Sequence, residues 1–287
     1  MNWLLLLLAV LLSSGRSICS KKIKMEGENK SEFYLSQAML FLAAGSAVFV
    51  CNPKAIFNIS GMTFGFAVIY GILLIVSQWC YTISLQQGPT SICTMLYSFG
   101  FIFPTLSGTL FWSEPFTIFS GIGLALTVLA IVASAFSKGE KASVDNKNYI
   151  LPILMAMTAS GGLGVMQKVQ QSSQVAEQRD GFLILAFVIA MVISYGTALA
   201  KNIDKSGHKR EVLFPTLAGI CFGAANLLNT LLAGRIDSAI LFPIQNIGVM
   251  IICAILGIVL FHERITKSQT FALGLGVLAI LVLSISR

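Results

Sequence analysis

Two asparagines within one apolar stretch, Asn226 and Asn229, have the type and spacing best suited to binding a polar molecule. They are three residues apart, so both side chains lie on one face if the stretch is helical. Each carboxamide offers a hydrogen-bond donor and an acceptor to a ligand. Intramembrane Asn residues also hydrogen-bond to neighbouring helices as part of packing. The pair therefore predicts a binding surface, with helix packing as the alternative.

Polar side chains in other apolar stretches could line the same cavity. Arg16 is the most distinctive, because a charge inside an apolar helix is costly and its guanidinium suits a carboxylate or phosphate. Alternatively, Arg16 snorkels towards the basic segment that follows it. A break at Pro104 or Pro243 would free backbone carbonyls for a ligand. The other candidates are Gln78, Trp79, Tyr97, Gln245 and Asn246.

Residue sets for catalysis are missing from the sequence. The two histidines, His208 and His262, lie outside the apolar stretches, and neither an H-E-x-x-H nor a G-x-S-x-G motif occurs. The six cysteines include no C-x-x-C pair, so neither a disulfide framework nor a zinc site is indicated. We therefore expect no enzyme, no cofactor and no metal site.

Long uncharged stretches must position these residues. Only 11% of the chain is charged and 56% is hydrophobic, against roughly 25% charged in soluble domains. Runs such as 118–135 do not alternate polar and apolar residues, so they indicate helices rather than a barrel. We predict an all-α membrane protein with ten spans, at about 3–21, 33–51, 58–83, 89–111, 115–136, 149–170, 181–200, 212–234, 238–260 and 268–286.

The two halves of the chain share a pattern. Ser14-Gly15 and Lys22 in the first half match Ser160-Gly161 and Lys168 in the second half. Ser91 matches Ser238, and Glu114 matches Glu263. We therefore predict two five-helix repeats, 1–137 and 149–287, joined by a linker at 138–148. Because five is odd, the repeats cross the membrane in opposite senses, which is the architecture of secondary transporters. We interpret the two glutamates as helix-start residues favoured by the dipole of the next helix, and the two lysines as interface anchors.

Basic residues predict the orientation. Of the 19 Lys and Arg residues, thirteen follow odd-numbered helices, five lie on the other side and Arg16 lies within the first helix. The positive-inside rule then places both termini outside the cytoplasm, in a multi-pass cell (plasma or inner) membrane protein.

The segments Ser113–Thr117 and His262–Thr266 resemble the G-E-x-x-T turns of the drug/metabolite transporter superfamily, in its EamA-like ten-helix branch. The resemblance implies a central cavity lined by helices one, three, four, six, eight and nine. It also implies that helices five and ten serve packing or a homodimer. Ser113 and His262 replace the usual glycine, and the charge bias is reversed relative to typical members.

The predicted spans contain neither Asp nor Glu, so the exchange of cations for protons is disfavoured. We expect a secondary transporter, not driven by ATP, that moves a small metabolite or drug-like solute by alternating access. The solute would be neutral, zwitterionic or anionic, and the other partner is the lipid bilayer rather than nucleic acid. The alternatives are a non-transporting membrane sensor or partner protein and an intramembrane enzyme.

Overall fold

The computed structural model describes residues 2–21, 30–57, 59–87, 93, 96–135, 149–201, 212–261 and 267–285. Within these residues all regular secondary structure is helical. The ten α-helices are α1 Asn2–Lys21, α2 Lys30–Cys51, α3 Gly61–Gln87, α4 Ile102–Trp112, α5 Ile118–Ala135, α6 Ile150–Ser172, α7 Arg179–Ala200, α8 Leu213–Ala233, α9 Ser238–Phe261 and α10 Lys267–Ile285.

Seven of these helices are long and apolar enough to cross a bilayer, judged by length and composition. They are α1, α2, α3, α6, α7, α8 and α9. The apolar parts of α5 and α10, Ile118–Ala133 and Thr270–Leu283, are shorter, and α4 has 11 residues. The prediction of an all-helical membrane protein is confirmed at this level, and the inverted arrangement of ten spans stays a prediction.

The two prolines behave differently in their helices. Pro243 lies inside α9, which continues from Ser238 to Phe261 without interruption, so α9 is not broken there. Pro104 is near the start of α4, and α4 begins directly after the 3₁₀ segment Phe99–Phe101. A proline fits the first turn of a helix because its missing N–H would have no intrahelical partner there.

The chain divides into two compact units. Unit 1 comprises Trp3–Ile75 and Gln170–Leu231, and unit 2 comprises Val76–Val169 and Leu232–Arg287. Each unit therefore contains segments from both halves of the sequence. The division into repeats at 1–137 and 149–287 concerns the sequence pattern and stays a prediction.

Helices in unit 1 approach one another closely at glycines. The antiparallel pair α2 and α7 meets at Gly45 and Phe187, and its end is joined by a 2.9 Å hydrogen bond from Asn52 Nδ2 to Asp180 Oδ2. In α8, a Cβ atom at Gly219 or Gly223 would collide with the backbone of α2. Apolar surface gains little by leaving lipid, so such close backbone approach is a main source of helix association in membranes.

Unit 2 contains the same kind of contact. Gly161 and Gly164 of α6 lie against Phe103 and Pro104 of α4, and a side chain at either glycine would overlap α4. Gly123 of α5 accommodates the side chain of Leu283 in α10. The glycines therefore allow α6 to pack closely on α4, and α5 to pack closely on α10.

Gly223→Ala should destabilise unit 1, because the new methyl group would overlap the backbone of Ala44 in α2. Overpacking of this kind costs about 1–3 kcal/mol, so the melting temperature in detergent should fall. Gly196→Ala in α7 is the matched control, since no heavy atom of a neighbouring residue lies within 4 Å of the added Cβ. Equal melting temperatures for the two variants would contradict this packing.

Candidate functional site

The eight predicted binding residues are divided between the two units. Arg16, Asn226 and Asn229 belong to unit 1. The other five, Gln78, Trp79, Tyr97, Gln245 and Asn246, belong to unit 2. The two groups are therefore described separately, and their joint role in binding a ligand stays a prediction.

In unit 1, the Asn226 carboxamide is held at both ends. Its Oδ1 accepts a 2.7 Å hydrogen bond from the Tyr70 hydroxyl, and its Nδ2 donates a 2.8 Å bond to the Phe222 carbonyl. Tyr70 is fully buried, and its ring packs edge-on against Phe182 with 4.9 Å between centroids. Sequence analysis missed Tyr70, because nothing in an isolated apolar helix distinguishes a tyrosine that orients an amide from one that only packs.

Asn229 lies on the same face of α8 as Asn226, one turn closer to the end of the helix. Only 8% of Asn229 is exposed. Within the described part of the chain, its buried Oδ1 atom has no hydrogen-bond partner. A buried acceptor in this state is costly and calls for an explanation, such as a bound water or ligand.

The Arg16 guanidinium lies over the Phe222 ring, 3.8 Å from its centroid. Phe222 is near the middle of α8, and its ring also packs edge-on against Phe187 at 5.7 Å. The Arg16 head group is therefore at the level of the middle of a candidate span, where a cation–π contact offsets part of the cost of its burial. This position differs from the snorkelling alternative, and a role in ligand binding stays a prediction.

The unit 2 candidates form smaller polar groups. The Tyr97 hydroxyl is 3.0 Å from Ser77 Oγ, and its ring lies 4.3 Å from that of Tyr81. Gln78 is buried and Trp79 is half-buried. On α9, the half-buried Gln245 and Asn246 follow Pro243, and Asn246 Nδ2 donates to the Phe242 carbonyl.

A buried ion pair in unit 2 joins Glu114 and Lys168. The Glu114 carboxylate accepts a 2.7 Å hydrogen bond from the Ser238 backbone N–H, the first residue of α9. Lys168 Nζ forms an ion pair with Glu114 and donates a 2.9 Å bond to the carbonyl of Ala233, the last residue of α8. We call these four residues the corner clamp. Each charge has the sign that stabilises the helix end it contacts.

The corner clamp corrects two expectations. Lys168 is buried and paired, so it is not an interface anchor. Glu114 stabilises the start of α9 rather than the start of the next helix, α5. Lys168, Glu114 and Ser238 are all matched positions of the sequence repeat, and this was the signal that could have joined them. Their counterparts Lys22, Glu263 and Ser91 lie outside the described residues.

The chain bends sharply to bring Glu114 into this position. Ser113 has φ 52° and ψ 31°, the left-handed conformation that favours glycine. The Glu114 N–H then donates to the Gly108 carbonyl at 3.2 Å. Gly108 has no Cβ, and a Cβ there would overlap the Glu114 carboxylate. The strained serine and the glycine are therefore both consequences of placing a carboxylate at the start of α9.

Glu114→Gln and Lys168→Met should each destabilise the protein, because each leaves one charge buried without its counterion. Removing one partner of a buried pair costs about 3–5 kcal/mol, whereas removing both charges costs much less. We therefore expect the double variant to melt at a higher temperature than either single variant. Additive losses in this double-mutant cycle would contradict the pairing.

Ser113→Gly should stabilise the protein by about 1 kcal/mol, because glycine adopts the left-handed conformation without strain. The Ser113 side chain is exposed, so its loss removes little packing. Ser113→Val should destabilise, since a branched Cβ is least tolerated at positive φ. The melting temperature should be highest for Ser113→Gly, intermediate for the wild type and lowest for Ser113→Val. The reverse order would refute the left-handed conformation at Ser113.

Comparison with known proteins agrees with a helical membrane protein. One solved structure, titled only as the crystal structure of a protein, aligns with 99% of this chain and 96% of its own. The TM-score is 0.82 at 13% sequence identity, so the likeness concerns the fold alone. No curated protein matches the chain. Residues 22–286 match the family described as sugar transport protein. The chain is therefore a member of the sugar transport protein family, a family of membrane transporters.

Proposed function

We propose that this protein is a secondary transporter that moves a neutral, hydroxyl-rich solute of the sugar class by alternating access. The observation that carries the proposal is the pair of buried carboxamides on α8, in a chain of the sugar transport protein family. One carboxamide is oriented by Tyr70, and the acceptor atom of the other has no partner among the described residues.

The chemistry of these groups suits a sugar better than an ion. A sugar hydroxyl both donates and accepts hydrogen bonds, as a carboxamide does. A neutral solute also requires no counterion, and the predicted spans contain neither Asp nor Glu. The Glu114 carboxylate is already paired with Lys168. The Arg16 cation lies against Phe222, and its guanidinium suits the zwitterionic or anionic solute that is the second candidate.

For the architecture, we propose the EamA-like form of the drug/metabolite transporter superfamily, with ten spans in two inverted five-helix repeats. Ten α-helices are described, and nine of them lie close to predicted spans, whereas α4, Ile102–Trp112, coincides only with the last part of the span predicted at 89–111. Three matched positions of the sequence repeat also meet in the corner clamp. Two related packings of such repeats would provide the two access states of a carrier.

The membrane setting completes the proposal. The basic loops after odd-numbered helices favour termini outside the cytoplasm in a cell membrane. Large apolar side chains on α5 and α10, among them Ile118, Leu129 and Phe271, are exposed. They suit contact with lipid, and we propose that part of this surface forms a homodimer through α5 and α10.

Reconstituted protein should take up one or more neutral hexoses or pentoses with saturation kinetics, without ATP. Asn226→Ala should lower kcat/KM for that sugar about tenfold, because the carboxamide that Tyr70 holds on the same helix face as Asn229 is lost. Gly196→Ala, a change on α7 with no neighbour near the added methyl, is the matched control. Liposomes that take up no sugar above protein-free vesicles, yet bind amino acids or organic cations, would refute the sugar class.

A further inference from the structure

The two carboxamides of α8 differ in how their hydrogen-bonding atoms are used. Both Asn226 side-chain atoms are occupied, Oδ1 by the Tyr70 hydroxyl and Nδ2 by the Phe222 carbonyl. The Asn229 Oδ1 atom is buried to the same degree and has no partner within the described residues. The same residue type on the same helix face is therefore in two different chemical states, which assigns the two residues different tasks.

The Tyr70 side chain is confined by the residues around it. Its side chain is fully buried, and its ring packs edge-on against Phe182. The next residue, Gly71, allows α3 to approach α7 so closely that an added Cβ would lie 3.0 Å from the Ala186 carbonyl oxygen. A ring confined in this way helps to hold the Asn226 amide in one orientation, because the Phe222 carbonyl can accept only from Nδ2 and the Tyr70 hydroxyl then donates to Oδ1.

We infer that Asn229 is the specificity-determining residue, and that Tyr70 and Asn226 are positioning residues behind it. The inference rests on the proposed function and adds which atom selects the solute. Because the free atom of Asn229 is an acceptor, the matching group on the solute must be a donor, and on a sugar this is a hydroxyl. A solute without a hydroxyl at that place leaves the buried acceptor unpaired and is rejected.

The experiment uses the sugar with the highest kcat/KM in the uptake screen, together with its complete series of monodeoxy analogues. Wild-type protein should lose about tenfold in kcat/KM for the one analogue that lacks the hydroxyl bound by Asn229. Asn229→Ala should lower kcat/KM for the parent sugar by a similar factor. That analogue should then be transported as well as the parent, while the ratios for the other analogues stay at their wild-type values.

Asn229→Leu and Asn229→Asp keep the test decisive if the alanine variant does not fold. Leucine removes the acceptor at nearly the same volume and should behave like alanine, whereas aspartate keeps an acceptor oxygen and should retain the wild-type discrimination. Monodisperse elution in detergent identifies the folded variants. If the folded Asn229 variants that lack the acceptor keep every wild-type ratio, Asn229 does not select the solute and the inference is overturned.

Tyr70→Phe separates positioning from recognition. It removes only the hydroxyl that orients Asn226, so kcat/KM should fall by one common factor for the parent and all analogues. If Tyr70→Phe instead abolishes the kcat/KM ratio between the parent and one analogue only, Asn226 rather than Asn229 recognises the solute. Failure of the proposed function is distinguishable from both outcomes, because wild-type liposomes would then show no saturable sugar uptake at all.

Discussion

A polar group that is buried in the protein must find its hydrogen-bond partner there, because water does not reach it. The corner clamp meets this requirement for four groups at once. The Glu114 carboxylate and Lys168 ammonium neutralise each other, and each also satisfies a backbone group at a helix end. The strained Ser113 and the glycine at position 108 follow from this arrangement, since both make room for the carboxylate.

The Asn229 acceptor is among the buried side-chain atoms of the described residues for which this requirement is not met, and the proposed binding site is built on it. Tyr70 satisfies Asn226, whereas the Asn229 acceptor has no partner in the described part of the chain. Close packing at glycines holds the helices that carry these residues in place. Gly71 fixes the position of Tyr70 against α7, and Gly223 fixes α8 against α2. The proposed selectivity for a sugar thus depends on backbone contacts at some distance from the carboxamides.

Helices were predictable because uncharged runs and their charged borders are local signals. The ninth span was predicted at 238–260, and the helix is Ser238–Phe261. The pairing of Glu114 with Ser238 was not predictable in this way, because 124 residues separate them and neither residue leaves a local pattern. The repeat marked Lys168, Glu114 and Ser238 as matched positions and so could have joined them as a group, but it did not indicate which of them pair. Asn226 and Asn229 were found from their spacing, whereas their different hydrogen bonding depends on a tyrosine from another helix.

The order of synthesis adds a consequence of the corner clamp. Glu114 and Lys168 leave the ribosome before Ser238 does, so both charges are made before the α9 terminus that Glu114 contacts. Until then, Lys168 is the partner in the corner clamp with which the Glu114 carboxylate can pair. A chain that stops short of α9 would therefore keep the ion pair but lack the Ser238 N–H from which the Glu114 carboxylate accepts a hydrogen bond.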